Sequence, residues 1–317
     1  MSILSSGKSK QMAVFGEDRF VPSAGFPGSG RSIAADPQKR TCANPECSSA
    51  WAKPWKSRRR PIFEDQWGCG SKCLEAVVRA SVKREVNDGI GAGFEAPHRH
   101  RIPLGLVMLA QGWITHPQLR RALEEQKARG SGRIGDLLVD ECGLPPEKIT
   151  QGLSVQWNCP VLSTEGITPK AMALAVPRIF IEQFGLLPLR IAGSRILYLG
   201  FKENLDASAA FAIERMSDLK VESGLVDDGG YDLARPRLLA SEFVPAEMET
   251  VRDSEEMTIR IRELLEERQP VAARLVRMHQ HYWMRTWLET GAMSTAGTVP
   301  GSTEDVFDTI FSIGIRA

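Results

Sequence analysis

The chain predicts an α+β fold on three observations. Two 24-residue segments, Pro103–Gln126 and Arg133–Gln156, repeat each other in register. Downstream of them, short apolar runs alternate with helical patterns. Upstream, four cysteines fall in two close pairs. Together these predict a helical tandem-motif subdomain and a small α/β subdomain at the centre. A cysteine-rich module precedes them and a C-terminal helical pair follows.

At 317 residues the chain has room for about two domains. Its 42% apolar and 25% charged content is ordinary for a soluble globular protein. Forty basic against 39 acidic side chains leave a net charge of +1, so no whole-protein field draws it to nucleic acid or lipid. That average hides a gradient. Residues 1–100 carry 16 basic and 10 acidic groups, 101–240 carry 16 and 16, and 241–317 carry 8 and 13. The longest apolar run, Ile102 to Ala110, is far shorter than the ~20 residues that span a bilayer. The N-terminus lacks the apolar core of a signal peptide. A cytoplasmic location with reduced cysteines is expected.

Residues 1–40, rich in Ser, Gly, Pro and Lys, read as a disordered tail. Gly7-Lys8-Ser9 is not a phosphate loop, because Ser2 stands where the motif needs its first glycine. GxSxG and HExxH are absent, and no convergent His, Asp and Ser set appears, so the chain is expected not to be an enzyme.

Residues 41–90 form the cysteine module. Cys42 and Cys47 are followed by Cys69 and Cys73, the second pair opening a predicted helix from Ser71 to Val86 with Leu74, Val77, Val78, Val82 and Val86 on one face. Two close pairs of thiolates can complete a tetrahedral Zn²⁺ site with no open position, hence structural rather than catalytic; the competing reading is four ordinary buried or free cysteines. The layout resembles a zinc-ribbon or treble-clef module. Between the pairs, Trp51, Lys53, Trp55, Lys56, Arg58, Arg59 and Arg60 interleave aromatics with cations. This supports an alternative, a zinc-containing nucleic-acid-associated regulator. The competing reading is a solvated basic loop. A Gly-rich linker, 91–100, carries His98 and His100.

In the repeat, Leu104-Gly105 matches Ile134-Gly135, Met108 matches Leu138, Ile114 matches Leu144, Leu119 matches Ile149, Leu123 matches Leu153, and Gln126 matches Gln156. Each copy predicts a short helix (around 104–111 and 134–142), a turn at Gly112 or Gly143, and a second helix. The second helices start at Thr115 and at Pro145-Pro146. Most of these residues serve a helical core whatever the function.

The doubled pattern RLGxxLxxxGxxxxxxLxxALxxQ resembles the N-terminal domain of type II secretion and type IV pilus assembly ATPases, the GspE N-terminal or MshEN-like family. The likeness extends over residues 101–240, through Trp157 to Val161, Phe184 to Pro188 and Asn204 to Asp206. Some members bind cyclic di-GMP through this motif. The resemblance implies a ligand face of Arg101, Leu104, Gly105, Gly112, Leu119, Leu123, Gln126, Arg133, Ile134, Gly135, Ile149, Leu153 and Gln156. It also implies a secretion, pilus or signalling partner. The sequence departs from the pattern at Pro103, which replaces the first motif Arg, at Cys142, with Gly143 shifted by one, and at Gly152. The six-residue spacer Lys127 to Gly132 is one longer than the family's. A docking adaptor without ligand binding is the further alternative.

Beyond the repeats, Ala171 to Phe184 predicts helix, Leu186 to Ile191 and Ile196 to Phe201 a hairpin around Gly193-Ser194, Ala207 to Met216 helix, Val221 to Val226 strand, and Tyr231 to Ala240 helix. The segment 241–290 is expected to hold two helices, Ala246 to Arg268 and Val271 to Thr290. The second presents Leu275, Met278, Tyr282, Trp283 and Trp287; His279 and His281, two apart on a helix, would make a poor chelate. Residues 291–317 read as a flexible tail whose apolar end, Val306 to Ile315, docks weakly. The 77 residues after Ala240 are too few for the family's ATPase.

Overall fold

A computed structural model of the chain describes residues 42–47, 60–87, 102–193, 195–292 and 299–314. The expected tail 1–40, the linker 91–100, Trp51 to Arg59, Arg101 and Ser194 lie outside the described residues.

A two-strand ribbon, β1 (Ile62–Phe63) and β2 (Gln66–Trp67), leads into the first helix, α1 (Ser71–Asn87). The tandem copies follow as α2 (Leu104–Ala110) with α3 (His116–Arg129), and α4 (Ile134–Cys142) with α5 (Pro146–Trp157). Their starts obey the sequence signals. Thr115 and Gln118 form a reciprocal capping box on α3, and Pro146 opens α5 with its fixed φ.

The small α/β subdomain has short helices α6 (Pro169–Ala173) and α7 (Arg178–Phe184), then strands β3 (Leu187–Ala192) and β4 (Ile196–Phe201). After α8 (Ala207–Ser217), β5 (Lys220–Leu225) runs parallel to β4 while β3 runs antiparallel to it, and α9 (Asp228–Leu239) follows. The segment after α5 joins this sheet at its β5 edge: the Leu162 N–H donates to the Leu225 carbonyl and the Leu225 N–H to that of Pro160.

The expected C-terminal helical pair is corrected. Strand β6 (Ala246–Val251) precedes one helix, α10 (Ser254–Arg268), and the predicted second helix is a hairpin, β7 (Ala272–Met278) and β8 (His281–Trp287). The apolar end is no weakly docked tail. It forms β9 (Val306–Ile313), central in the order β6-β9-β8-β7, parallel to β6 and antiparallel to β8. The reason is that β7, β8 and β9 are largely buried on both faces, whereas the edge strand β6 is mostly exposed. Val276, Trp283, Trp287 and Ile310 pack with α7 and α8 of the small subdomain, while Leu275, Tyr282, Met284 and Phe311 pack with α1 and α10. A doubly buried strand is apolar almost throughout and loses the alternation that marks strands in sequence.

The cysteine-bearing segment therefore shares a core with the C-terminal sheet. Phe63, Leu74, Val77, Val78 and Val82 pack in the same cluster as Met257, Ile261, Leu264 and Leu265. Among the described residues no helix is long and apolar enough to cross a membrane.

Candidate functional site

The two tandem copies interlock, α2 packing on α5 and α3 on α4. The motif glycines make this possible. A Cβ on Gly105 would stand 2.5 Å from Leu119 Cδ1, and one on Gly135 would stand 3.0 Å from Ile149 Cγ2. Leu119 and Ile149, matched in sequence, thus seal matched glycines. Leu104, Met108, Ala122, Leu137 and Leu138 fill the shared core, with Leu119, Ile134, Ile149 and Leu153 at its margin. At Gly152, which replaces the repeat's alanine, a Cβ would meet Leu104 Cδ1 at 2.9 Å.

The matched glutamines form a reciprocal pair. Gln126 Nε2 donates to the Gly132 carbonyl at 2.8 Å, and Gln156 Nε2 donates to the Ile102 carbonyl at 2.7 Å. Gly132 and Ile102 are themselves equivalent, each two residues before the first helix of its copy. Each second helix therefore ties down the start of the other copy's first helix. The glutamines so bonded position backbone, a role that the sequence did not separate from ligand contact.

The helix starts they hold are α2, entered through Pro103, and α4, entered through Arg133, both with extended N-cap backbones and no side-chain cap. They lie close together, since a Cβ on Gly135 would come within 3.8 Å of Leu104 Cδ2. Pro103 keeps the extended entry but removes the cation. Arg133 is exposed and ion-paired with Glu203, a partner 70 residues away that no local pattern announces. Leu123 is exposed and Gly112 sits at the turn with φ of 69°. The one-residue shift at Cys142 is absorbed in the turn: Gly143, with φ of 65°, caps α4 directly. Cys142 Sγ lies 3.6 Å from the Gln118 carbonyl.

The four cysteines of the predicted metal set do converge. The sulfurs of Cys42, Cys47, Cys69 and Cys73 all lie within 4.8 Å of one another, close enough to hold one metal ion. Cys47 and Cys69 approach to 3.5 Å, and Cys69 and Cys73 to 3.6 Å. Asn44 Nδ2 donates to Cys73 Sγ at 3.4 Å. The thiols also tune one another. Burial alone would raise Cys42, but the Cys69 and Asn44 backbone N–H groups and the neighbouring thiols bring it down to about 7. Cys69, which hydrogen-bonds Cys47 and is partly buried, is pushed up to about 12. A cluster that favours one thiolate and resists a second is what a bound cation would relieve.

His279 and His281 are not on a helix. His279 lies in the two-residue β7–β8 turn and His281 opens β8; His279 Nε2 meets Asp206 Oδ2 at 2.6 Å and His281 Nε2 lies 3.1 Å from Gln183 Oε1. Arg60, the last cation of the basic stretch, pairs with Glu289 at 3.4 Å.

No protein-family model matches the chain. It is 32% identical over 134 residues to the type IV pilus assembly ATPase PilB of Thermus thermophilus, covering 32% of this chain and 15% of that protein. With PilB of Myxococcus xanthus it shares 31% over 123 residues, covering 38% and 20%. The chain thus spans a fifth or less of the length of these relatives. Among solved structures, MshE with cdg (cyclic di-GMP) is 23% identical with a TM-score of 0.36, covering 44% of this chain and 99% of that one. The N-terminal domain of XpsE is 18% identical with a TM-score of 0.29, covering 43% and 92%.

Proposed function

We propose, from the premise that the centre of this chain is a GspE/MshE N-terminal-like domain fragment, that the protein is a non-catalytic docking and sensing module of a pilus or secretion assembly. The pilus context is supported by the PilB relatives. One observation carries the sensing role: two adjacent helix starts without side-chain caps, held by reciprocal glutamine bonds, with Arg133 exposed beside them. Helix N-termini favour phosphate, and an arginine fork adds charge and a stacking face. Cyclic di-GMP, with two phosphates and two guanines, matches that chemistry. The fit is better at the second copy, because Pro103 offers no cation.

Titration calorimetry tests this on the full chain. Saturable heat with cyclic di-GMP is expected, weakened about tenfold or more in Arg133→Ala, as for a charge-assisted contact of ~1.5–3 kcal/mol. No heat at tens of micromolar protein, with the variant indistinguishable, would leave the docking adaptor. That second reading is favoured by the exposed apolar side chains Leu106, Leu123 and Val155 on the tandem helices and Ile102 just before α2. In the same proposal the four thiolates hold one structural Zn²⁺.

A further inference from the structure

We infer that the four-cysteine centre fastens a discontinuous unit, in which β1, β2 and α1 complete the C-terminal sheet across the intervening tandem-motif region. The inference rests on the Zn²⁺ reading of that centre. Four thiolates on a zinc ion at about 2.3 Å would lie about 3.8 Å apart; Cys47–Cys69 and Cys69–Cys73 stand at 3.5 and 3.6 Å, and all four sulfurs lie within 4.8 Å of one another. Asn44 supplies the outer N–H···S contact that tetrathiolate sites use to orient a ligand.

The ribbon strands are two residues each, too short to be stable alone. The buried apolar face of α1 belongs to the core made with α10 and the C-terminal sheet. The ribbon is bonded to the same sheet. The Ile62 N–H donates to the Pro270 carbonyl at 3.0 Å, the Glu64 N–H to that of Ala273 at 2.8 Å, and the Leu275 N–H to Glu64 Oε1 at 2.8 Å. At the other end of α1, Glu85 accepts the Arg277 N–H at 2.9 Å and pairs with Arg215 of α8 at 2.8 Å. Cys69 and Cys73 bracket the start of α1, and the Cys42–Cys47 turn joins β2 through the Ala43 N–H on the Trp67 carbonyl at 2.9 Å. The metal would therefore close the end of this unit where, among the described residues 42–47, only Ala43 packs against the shared core.

The test uses the full chain, with elemental analysis and hydrogen–deuterium exchange before and after chelation. About one zinc per chain is expected, retained in Cys142→Ser and lost in Cys69→Ser. Chelation should collapse protection in β1, α1 and α10 while α2 to α5 keep theirs, and added Zn²⁺ should restore it. A folded chain purified with no metal, or with iron, overturns the zinc reading itself. Zinc that is present and removable, with protection of α1 and α10 unchanged, overturns only the fastening. Simultaneous loss of protection in α2 to α5 overturns it too. Should Cys69→Ser fail to fold, the chelation series on the unaltered chain still decides.

Discussion

Arg285 is 1% exposed, and its fork closes on Asp308, also buried, with Nε and Nη2 each 2.7 Å from a carboxylate oxygen. Nη1 donates to the carbonyls of Leu174 and Ala175, and Trp283 Nε1 donates to the same carboxylate at 2.8 Å. Removing one partner strands the other charge. Asp308→Asn should therefore lower stability by about 3–5 kcal/mol in denaturant titration, and an Arg285→Met, Asp308→Leu double variant should lose less than either single change. Equal or larger loss in the double variant would refute that account. Nearby, burial and then the charge of His279 hold His281 below the ordinary histidine value. The unfolded chain then binds more protons near pH 6, so stability should fall as pH drops below about 6.5. His281→Gln should flatten that slope between pH 7 and 5 in thermal melts. The convergence of the four cysteines was legible because they fall in two close pairs along the chain. Asp308 was not, because its partner is a strand away and its meaning lies in burial.

At the scale of elements, the tandem hairpins were legible in nearly every boundary, since caps, glycines and apolar period agreed with one another. The C-terminal hairpin was not. Leu275, Met278, Tyr282, Trp283 and Trp287 approximate helical spacing, yet they divide between two sheet faces. Its two-residue turn, His279-Gln280, lacks the Asn-Gly or Asp-Gly pair that usually marks such a hairpin, and His279 takes φ of 54° without being glycine. In the tandem unit the close approach at Gly105 makes a sharp prediction. Gly105→Val would drive methyls into Leu119 and should cost about 1–3 kcal/mol by overpacking, read in chemical denaturation. A variant as stable as the parent would mean that α2 and α3 can separate without loss.

Across the whole molecule, the charge gradient in the sequence has a physical counterpart. Cations and anions of the N-terminal segment meet opposite charges of the C-terminal part: Arg60 with Glu289, Arg79 with Glu255, and Glu75 with Arg262. Such partly exposed pairs add little stability singly, but they agree with the apolar contacts about which surfaces meet. The sequence could not reveal that meeting, because contacts between residues near 80 and near 260 leave no local period. The same blindness affects the boundary expected at residue 240. Trp283, Trp287 and Ile310 share one core with Phe180, Ile181, Ile213 and Met216, and the Phe180 and Trp283 rings meet edge to face at 5.7 Å. A chain cut after residue 240 would leave that half of the core facing water, at roughly 25 cal/mol per Å² of apolar surface. The fragment 102–240 should accordingly melt well below the full chain, bind a hydrophobic dye, and self-associate on concentration. A fragment that stays monomeric and melts with the parent would instead make residues 102–240 an independent domain, with the C-terminal sheet merely resting against it.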